Sequence, residues 1–492
     1  MFESAELGHS IDKKPYNRQA PKLREALLNA QTEVVEKAKF PVVILIGGVD
    51  GAGKGETVNL LNEWMDPRHI QTHAMGAPTD EERQRPPLWR FWRALPPKGK
   101  LGIFFGSWYT EPIVRRALGD SKADLEKAMD EAVRFERMLT DEGALVLKFW
   151  FHLSKKAQKK RLESLESDRA TRWRVTKADW KNFERYDAYR DASEEALRQT
   201  STANAPWVVV EGADARYRGL TVGNAILEAM RDRSAGDGKT RTPPKAAAPL
   251  ATPIDKLNVL RALDLTKSLD KDKYDRELAK YEAKLNRLSR AANFKKLAVA
   301  CVFEGNDAAG KGGTIRRITG ALDARQYEVI PTAAPTEEER AQPYLWRFWR
   351  RVPRKGKVAV FDRSWYGRVL VERVEGFAAP PVWMRAYAEI NDFEERLVEH
   401  RVVVAKFWLA ISQEEQLRRF EEREKTGFKR FKITDEDWRN RKKWPQYEAA
   451  VCEMVDRTST EIAPWHLIEA NDKAYARIKT MKTLCDQIEA AM

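Results

Sequence analysis

Two segments of the 492-residue chain carry glycine and lysine at a spacing that suits phosphate binding. Residues 42–57 read VVILIGGVDGAGKGET, and residues 297–314 read LAVACVFEGNDAAGKGGT. Each contains G-x-x-x-x-G-K between an apolar run that predicts a buried strand and a stretch that predicts a helix. In such a loop the backbone N–H groups, the positive end of the helix dipole and the lysine together hold an anion. We therefore predict phosphate binding by the second loop through Gly305, Asn306, Gly310, Lys311, Gly312, Gly313 and Thr314.

The second loop departs from the usual phosphate-binding pattern in two ways. Gly312 follows Lys311, where a Ser or Thr hydroxyl normally holds Mg²⁺, and the nearest hydroxyl is that of Thr314. An acidic residue, Asp307, also stands between the glycines, where it repels a phosphate unless a metal ion or a transferring proton offsets its charge. Three roles stay open for Asp307: a Mg²⁺ ligand, a residue that positions the attacking group, or an Asx-turn residue that only shapes the loop.

A second candidate carboxylate lies at the end of a later apolar run. Residues 358–368 read VAVFDRSWYGR, so that a predicted strand ends at Asp362. A carboxylate at the carboxyl end of a parallel strand is the usual means of holding the metal ion beside a phosphate-binding loop. Arg363 and Arg368 follow closely and supply positive charge. We predict Asp307 and Asp362 as Mg²⁺ ligands, and both arginines as groups that neutralise phosphate charge.

The chain contains this pattern twice. Residues 78–93 read PTDEERQRPPLWRFWR and residues 335–350 read PTEEERAQPYLWRFWR, with twelve of sixteen positions identical at an offset of 257. Later matches, such as KFW at 148–150 and 406–408, have an offset of 258. A repeat of this length indicates domain duplication rather than a solenoid of short units. We predict one domain over residues 1–233, a Pro- and Ala-rich linker over 234–254, and a second domain over 255–492.

The two copies differ at the charged positions. The offsets align Asp362, Arg363 and Arg368 with Phe105, Gly106 and Glu111, and Arg423 and Lys429 with Leu165 and Thr171. A phenylalanine cannot bind Mg²⁺, and correlated loss of charge in distant segments is hard to explain if these residues only face solvent. We predict that the first copy keeps the loop scaffold and has lost catalysis.

A basic segment lies near the end of the second copy. Residues 418–438 read RRFEEREKTGFKRFKITDEDW and place Arg423, Lys429 and Lys432 near aromatic residues. Such cations can bind phosphates and close over a nucleotide site as a lid. The alternative is an ordinary amphipathic surface helix with interleaved acids.

Composition narrows the class of partner. Lys and Arg number 88 against 74 Asp and Glu, and the formal charge of +14 favours a polyanion: nucleic acid, a membrane surface or a phosphate-rich substrate. The apolar run at 42–46 is far shorter than the ~20 residues that span a bilayer. No secretory leader is visible, and the three isolated cysteines suit a reducing compartment, so the sequence predicts a cytoplasmic protein. The tryptophan-rich apolar segments leave room for a homo-oligomer.

Several motifs together resemble the second polyphosphate kinase family. The two-copy arrangement resembles its fused branch, and the resemblance covers almost the whole chain. It implies an α/β protein with two tandem P-loop kinase-like domains, each a parallel sheet in a three-layer α/β/α sandwich with a helical lid. It also implies Mg²⁺ dependence and transfer of the terminal phosphate of inorganic polyphosphate to a nucleotide, which in the fused branch is AMP. The motifs are GNDAAGKGG (305–313), PTEEER and LWRFWR (335–350), FDRSWYGR (361–368), TDEDW (434–438) and APW with ANDK (463–473).

The resemblance also assigns roles to residues of this sequence. The loop Asp and Lys of the family fall on Asp307 and Lys311, its strand-end Asp-Arg pair on Asp362 and Arg363, and its lid arginine on or near Arg423. We predict the first four as catalytic residues. The lid stretch departs from the family pattern, with Thr-Gly where Asp-Pro is common and Phe where Trp is usual.

Phosphoryl transfer depends mainly on positioning and on charge neutralisation, which suits a basic site. We expect inorganic polyphosphate and AMP or ADP as partners, and neither nucleic acid nor a membrane. A polyphosphate-dependent nucleoside diphosphate kinase and an ATP-dependent nucleoside monophosphate kinase stay open, although the glycine after Lys311 argues against the second. A basic nucleic-acid-binding module is the alternative from another class.

Overall fold

The computed structural model describes residues 2–235, 258–426, 433 and 435–492. Contacts between residues divide this part of the chain into two compact units. Unit 1 holds the residues up to Pro78, those from Arg90 to the first gap, and Thr336–Pro343. Unit 2 holds Thr79–Trp89, the residues from the end of that gap to Pro335, and Tyr344–Met492. The predicted linker overlaps residues outside the described part, so its boundaries stay a prediction.

Each half of the repeat forms a sheet whose neighbouring strands pair in parallel. In unit 1 the strands are β1 Val42–Gly48, β2 Ile70–Ala74, β3 Leu101–Phe105, β4 Leu145–His152 and β5 Trp207–Glu211, in the spatial order β2-β3-β1-β4-β5. In unit 2 they are β6 Ala298–Gly305, β7 Tyr327–Pro331, β8 Val358–Asp362, β9 Val402–Ala410 and β10 Trp465–Glu469, in the order β7-β8-β6-β9-β10. The two orders are the same topology.

Helices connect the strands. Those of the first copy are α1 Lys13–Lys37, α2 Lys54–Trp64, α3 Asp80–Arg83, α4 Trp89–Ala94, α5 Thr110–Ala117, α6 Lys122–Asp141, α7 Lys155–Ser167, α8 Lys177–Glu184, α9 Tyr186–Thr200 and α10 Ala215–Ala235. Those of the second copy are α11 Lys271–Arg290, α12 Lys311–Gly320, α13 Glu337–Arg340, α14 Trp346–Trp349, α15 Val371–Val374, α16 Pro380–Glu399, α17 Gln413–Lys425, α18 Asp435–Lys442, α19 Trp444–Thr458 and α20 Lys473–Ala491.

Helices cover both faces of each sheet, which is why the central strands are almost continuously apolar. In unit 2, side chains of β6 such as Val299 and Phe303 share a core with Leu285 of α11, Ile318 of α12 and Met481 of α20. On the opposite face, α16 packs against β9. Unit 1 repeats this arrangement with α1, α2 and α10 in one core and α6 against β4. The predicted three-layer α/β/α fold is confirmed.

A short segment of each half packs within the unit formed by the other half. In unit 1, the Lys98 N–H donates to the Ala341 carbonyl (3.0 Å), and the Gln342 amide donates to the Leu95 carbonyl (3.1 Å). In unit 2, the Arg85 guanidinium donates to the Val352 carbonyl (3.0 Å). The alignment of the repeats gives no sign of this exchange.

In the described part of the chain, no helix is both long enough and apolar enough to cross a bilayer.

Candidate active site

The turn from β6 into α12 forms the phosphate-binding loop of unit 2. Gly305 has φ +149°, and a Cβ there would lie 2.5 Å from the Leu409 carbonyl oxygen, so that only glycine fits. Gly310 has φ +105° and directs the chain into α12, which begins at Lys311. The Lys311 ammonium donates to the carbonyls of Gly305 (2.7 Å) and Asn306 (3.4 Å), so its side chain folds back over the loop.

Two predicted residues of this loop make contacts inside the protein. The Asn306 side-chain oxygen accepts from the N–H of Ile411 (3.2 Å), which fastens the loop to the end of β9. The buried Thr314 hydroxyl donates to the Gly310 carbonyl (3.3 Å). A Cβ at Gly312 would meet open space, whereas one at Gly313 would lie 3.1 Å from the Arg477 guanidinium. The loop is therefore braced from several sides.

The end of β8 brings the predicted carboxylate and guanidinium to the loop. Asp362 is in register with Phe303 of β6, and its backbone carbonyl accepts from the Thr332 N–H (3.0 Å). Arg363 follows with φ +64°, and its guanidinium lies 3.4 Å from Oδ1 of Asp307. The structure thus gathers Asp307, Asp362 and Arg363 at the carboxyl edge of the sheet, beside the loop.

Three further side chains hold the Asp307 segment, and the sequence analysis missed them. The Asn440 amide of α18 donates to Oδ2 of Asp307 (2.9 Å), and the Gln416 amide of α17 donates to the Asp307 carbonyl (3.2 Å). The Arg419 guanidinium donates to the carbonyl of Ala308 (2.9 Å), which has φ +65°. The signal available in the sequence was the repeat itself, because each of these three side-chain types recurs at the 258 offset in the first copy.

A buried acid next to the loop was also missed. Glu304 is only 6% exposed, and its carboxylate accepts from the Ser364 hydroxyl (2.8 Å). Burial raises the pKa of Glu304, while the nearby Lys311 charge opposes that rise. An acidic residue within an otherwise apolar predicted strand was the sign that could have revealed it.

The segment after Arg363 is fixed by a buried ion pair. The Trp365 indole and the Tyr366 hydroxyl both donate to Oε1 of Glu394 (3.0 and 2.7 Å), and the Lys406 ammonium lies 2.7 Å from Oε2. Lys406 and Glu394 are 0% and 1% exposed, and Lys406 also donates to the Thr458 carbonyl (2.7 Å). Unit 1 repeats the network with Lys148 and Glu136 at its centre.

The remaining predicted cations stand in varied surroundings. The Arg368 guanidinium lies over the Tyr344 ring (4.2 Å) and its Nε is 2.7 Å from Glu372. Arg423 is partly exposed in the last turn of α17. Lys429 and Lys432 lie outside the described residues, so their positions stay a prediction.

Helix α18 is anchored by a buried carboxylate that directly follows α15. Glu375 pairs with Arg439 (3.2 Å) and with Lys443 (2.8 Å), at the end of α18 and just beyond it. Since Asn440 lies between these cations, the two ion pairs fix the backbone that carries the amide to Asp307.

The loop of unit 1 keeps its lysine but pairs it differently. Lys54 donates to the Gly48 carbonyl (2.5 Å) and lies 3.6 Å from Asp50, which also accepts from the Asn182 amide (3.2 Å). With Gly106 at the position of Arg363, no guanidinium follows β3 to engage this aspartate.

Glu56 takes the place that Gly313 has in unit 2. In the described part of unit 1 its carboxylate pairs with Arg218 (2.7 Å), Arg161 (2.9 Å) and Arg174 (3.7 Å). The Glu56 carboxylate, in the first turn of α2, therefore neutralises the positive charge of these three arginines.

Comparison with known proteins supports the resemblance seen in the sequence. The model of the polyphosphate kinase 2 family matches residues 10–237 and 268–492. The chain belongs to this family.

It is 59% identical to the polyphosphate:AMP phosphotransferase of Pseudomonas aeruginosa over 492 residues, covering 100% of this chain and 99% of the relative. The enzyme of the same name from Acinetobacter johnsonii is 39% identical, with 94% of each chain covered. A crystal structure described as a putative polyphosphate kinase 2 from Pseudomonas aeruginosa superposes with a TM-score of 0.90 at 57% identity, covering 100% of this chain and 99% of that one.

Gly305→Ala tests the shape of the loop. We expect the free energy of unfolding to fall by about 1–3 kcal/mol, because the new Cβ would meet the Leu409 backbone at an unfavourable φ. The control Gly312→Ala introduces its Cβ into open space in a helix and should not destabilise the protein. Chemical denaturation followed by tryptophan fluorescence measures both, and equal stability of the two variants would contradict this account.

Lys406→Met tests the buried ion pair. Removing one partner leaves the Glu394 carboxylate buried without its counter-ion, which typically costs about 3–5 kcal/mol. The matched control Lys148→Met should cost unit 1 a similar amount. A Lys406→Met protein that unfolds at the same denaturant concentration as the parent would show that the pair does not stabilise the Trp365–Tyr366 segment.

Proposed function

We propose that unit 2 transfers the terminal phosphate of inorganic polyphosphate to AMP and so forms ADP. An oxygen of the AMP phosphate bonds to the terminal phosphorus, the bond from that phosphorus to its bridging oxygen breaks, and the electron pair stays on a polyphosphate one unit shorter. The observation that carries the proposal is the meeting of Asp307, Asp362 and Arg363 beside the glycine loop. Two relatives that match 100% and 94% of this chain bear the name polyphosphate:AMP phosphotransferase.

The loop supplies the charge that binds the donor. Its backbone N–H groups and the start of α12 attract phosphate oxygens, and Lys311 can exchange its carbonyl partners for a phosphate. Arg363 is 45% exposed and close enough to the loop to neutralise charge on the transferring group. We assign the same work to Arg368, Arg423, Lys429 and Lys432, in keeping with the predictions from the sequence.

The residues at this edge fit a magnesium ion. Mg²⁺ prefers oxygen ligands and is commonly held by one or two carboxylates together with substrate phosphates. Asp307 and Asp362 offer that donor set, and the described residues contain no cluster of three or more His, Cys, Asp or Glu that would make a full protein cage. Bound at these two carboxylates, Mg²⁺ would supply positive charge that offsets the negative charge of the phosphates. Arg363 and Asn440 orient the Asp307 carboxylate for this role.

We infer that unit 1 does not catalyse the transfer. Phe105 and Gly106 replace the strand-end carboxylate and guanidinium. Glu56, in the first turn of α2, already forms ion pairs with the nearby arginines. A phosphate would have to displace this internal carboxylate.

Charge and composition agree with this function. A formal charge of +14 suits a polyanionic substrate. Free cysteines, two of them buried in the described residues, suit the cytoplasm that the sequence predicts. Self-association stays a prediction.

Lys311→Ala compared with Lys54→Ala tests the assignment to unit 2. Lys311→Ala should lower kcat/KM for AMP with polyphosphate by about 100-fold or more, because charge stabilisation at the transferring group is lost. Lys54→Ala should leave the rate unchanged. The assay measures ADP formation from AMP with Mg²⁺ and, as controls, with EDTA and with ATP as donor. With ADP as acceptor, ATP formation is measured instead. The absence of ADP from AMP, polyphosphate and Mg²⁺ would refute the proposed reaction, and loss of activity in Lys54→Ala alone would reverse the assignment.

Asn440→Ala tests whether the hydrogen bond from α18 positions the Asp307 carboxylate. A hydrogen bond to a charged group is worth about 1.5–3 kcal/mol, so kcat/KM should fall by roughly ten- to a hundredfold. Asn182→Ala removes the equivalent bond in unit 1 and should have no effect on the rate. Equal rates in the two variants would show that Asn440 does not position the carboxylate.

A further inference from the structure

Unit 1 contains a cavity of about 300 Å³ above its glycine loop. Its lining comes from the loop after β1, the end of β3, α5 and the helices α8 and α9. Small-molecule sites in proteins begin at about this volume and are mostly apolar with a few placed polar groups. Aromatic side chains supply much of the wall: Phe105, Tyr109, Trp150, Tyr186, Tyr189 and Trp207.

The cavity lies at positions where unit 2 carries charged side chains. Three positions that hold ionisable side chains in unit 2 hold glycine or phenylalanine in unit 1, and all three line the cavity. They are Gly47, Phe105 and Gly106, the counterparts of Glu304, Asp362 and Arg363. These replacements leave Asp50 and Lys54 as the charged residues among the described lining and make the rest of the wall mostly apolar and aromatic.

The cavity offers little free positive charge to a polyphosphate. Its Lys54 is paired with Asp50 at 3.6 Å, and burial lowers the pKa of Lys54 while Asp50 opposes that shift. The nearby arginines Arg161 and Arg218 are engaged by Glu56. A neutral ligand suits such a site better than a polyanion does.

Two polar atoms of the lining residues have no partner in the described part of the chain. Gln158 is 4% exposed; its amide donates to the Asp50 carbonyl (3.0 Å), but its Oε1 accepts no hydrogen bond. In unit 2, Oε1 of Gln416 accepts from Arg441 (3.2 Å), and unit 1 has phenylalanine at the position of that arginine. Trp150 is 6% exposed, and its indole N–H has no acceptor. Trp408, its counterpart in unit 2, has an unpaired indole N–H as well, so the difference between the copies lies at Gln158. Buried polar groups are rarely left unpaired, so Oε1 of Gln158 points to a ligand with its own donor.

We propose that unit 1 binds a neutral, planar heteroaromatic molecule of the nucleoside class in this cavity, without reacting with it. The ring stacks against the aromatic walls, and an exocyclic amine donates to Oε1 of Gln158. This site is independent of the phosphate transfer proposed for unit 2.

Isothermal titration of the full-length protein with adenosine tests the proposal. Val114→Trp fills the cavity from α5 and should weaken adenosine binding at least tenfold. Gln158→Met keeps the side-chain volume, removes the acceptor and should weaken adenosine binding while leaving indole binding unchanged. The matched control Val371→Trp changes the counterpart of Val114 in unit 2 and should leave adenosine affinity as in the parent protein.

Several outcomes would overturn the proposal. The first is that adenosine does not bind at millimolar concentration, and the second is that Val371→Trp loses adenosine affinity while Val114→Trp keeps it. The third is that tripolyphosphate displaces adenosine from the Lys311→Ala protein. The fourth is that indole binds as tightly as adenosine. Because Gln158→Met adds no bulk, it keeps the test decisive if Val114→Trp fails to fold.

Discussion

An aspartate inside an anion-binding loop is the constraint on which the rest of the site depends. Asp307 stands between the glycines of the loop, so its charge has to be balanced before the loop can bind a phosphate. The Arg363 guanidinium at 3.4 Å offsets that charge, the Asn440 amide at 2.9 Å holds the carboxylate, and Lys311 stays on the loop carbonyls. In unit 1 the guanidinium is absent from the equivalent position, and Asp50 lies 3.6 Å from the loop lysine instead. The lost arginine is thus one of several charge changes that distinguish the two loops.

Buried contacts elsewhere in unit 2 hold Arg363 and Asn440 in position beside Asp307. Arg363 keeps φ +64° because its N–H donates to the Phe303 carbonyl (3.0 Å) and the next residues are tied to the Glu394–Lys406 pair. Asn440 keeps its place because Glu375 holds the helix on either side of it. Buried ion pairs outside the proposed catalytic residues therefore set the positions of Arg363 and Asn440.

Much of this could be predicted from the sequence, for physical reasons. Glycine–lysine spacing and an apolar strand ending in Asp362 predict local backbone geometry, the repeat predicts two domains, and the family resemblance implies the α/β fold of each. The sequence carried signals for Glu304, an acid in an apolar strand, and for Asn440, which recurs in the repeat. Their roles and that of Glu394 still depend on which elements pack together. A buried lysine such as Lys406 is indistinguishable in sequence from a solvated one. The positions of the predicted lid cations Lys429 and Lys432 lie outside the described residues.

The central claim is that two copies of one fold have acquired unequal chemistry through a few charge changes around the loop. The most direct test is the number of polyphosphate sites per chain, measured by equilibrium titration of the full-length protein with a short polyphosphate and Mg²⁺. The account predicts one site, which Gly106→Arg in unit 1 leaves unchanged and Arg363→Gly in unit 2 removes. Two equivalent sites per chain, or a site that survives Arg363→Gly, would contradict it.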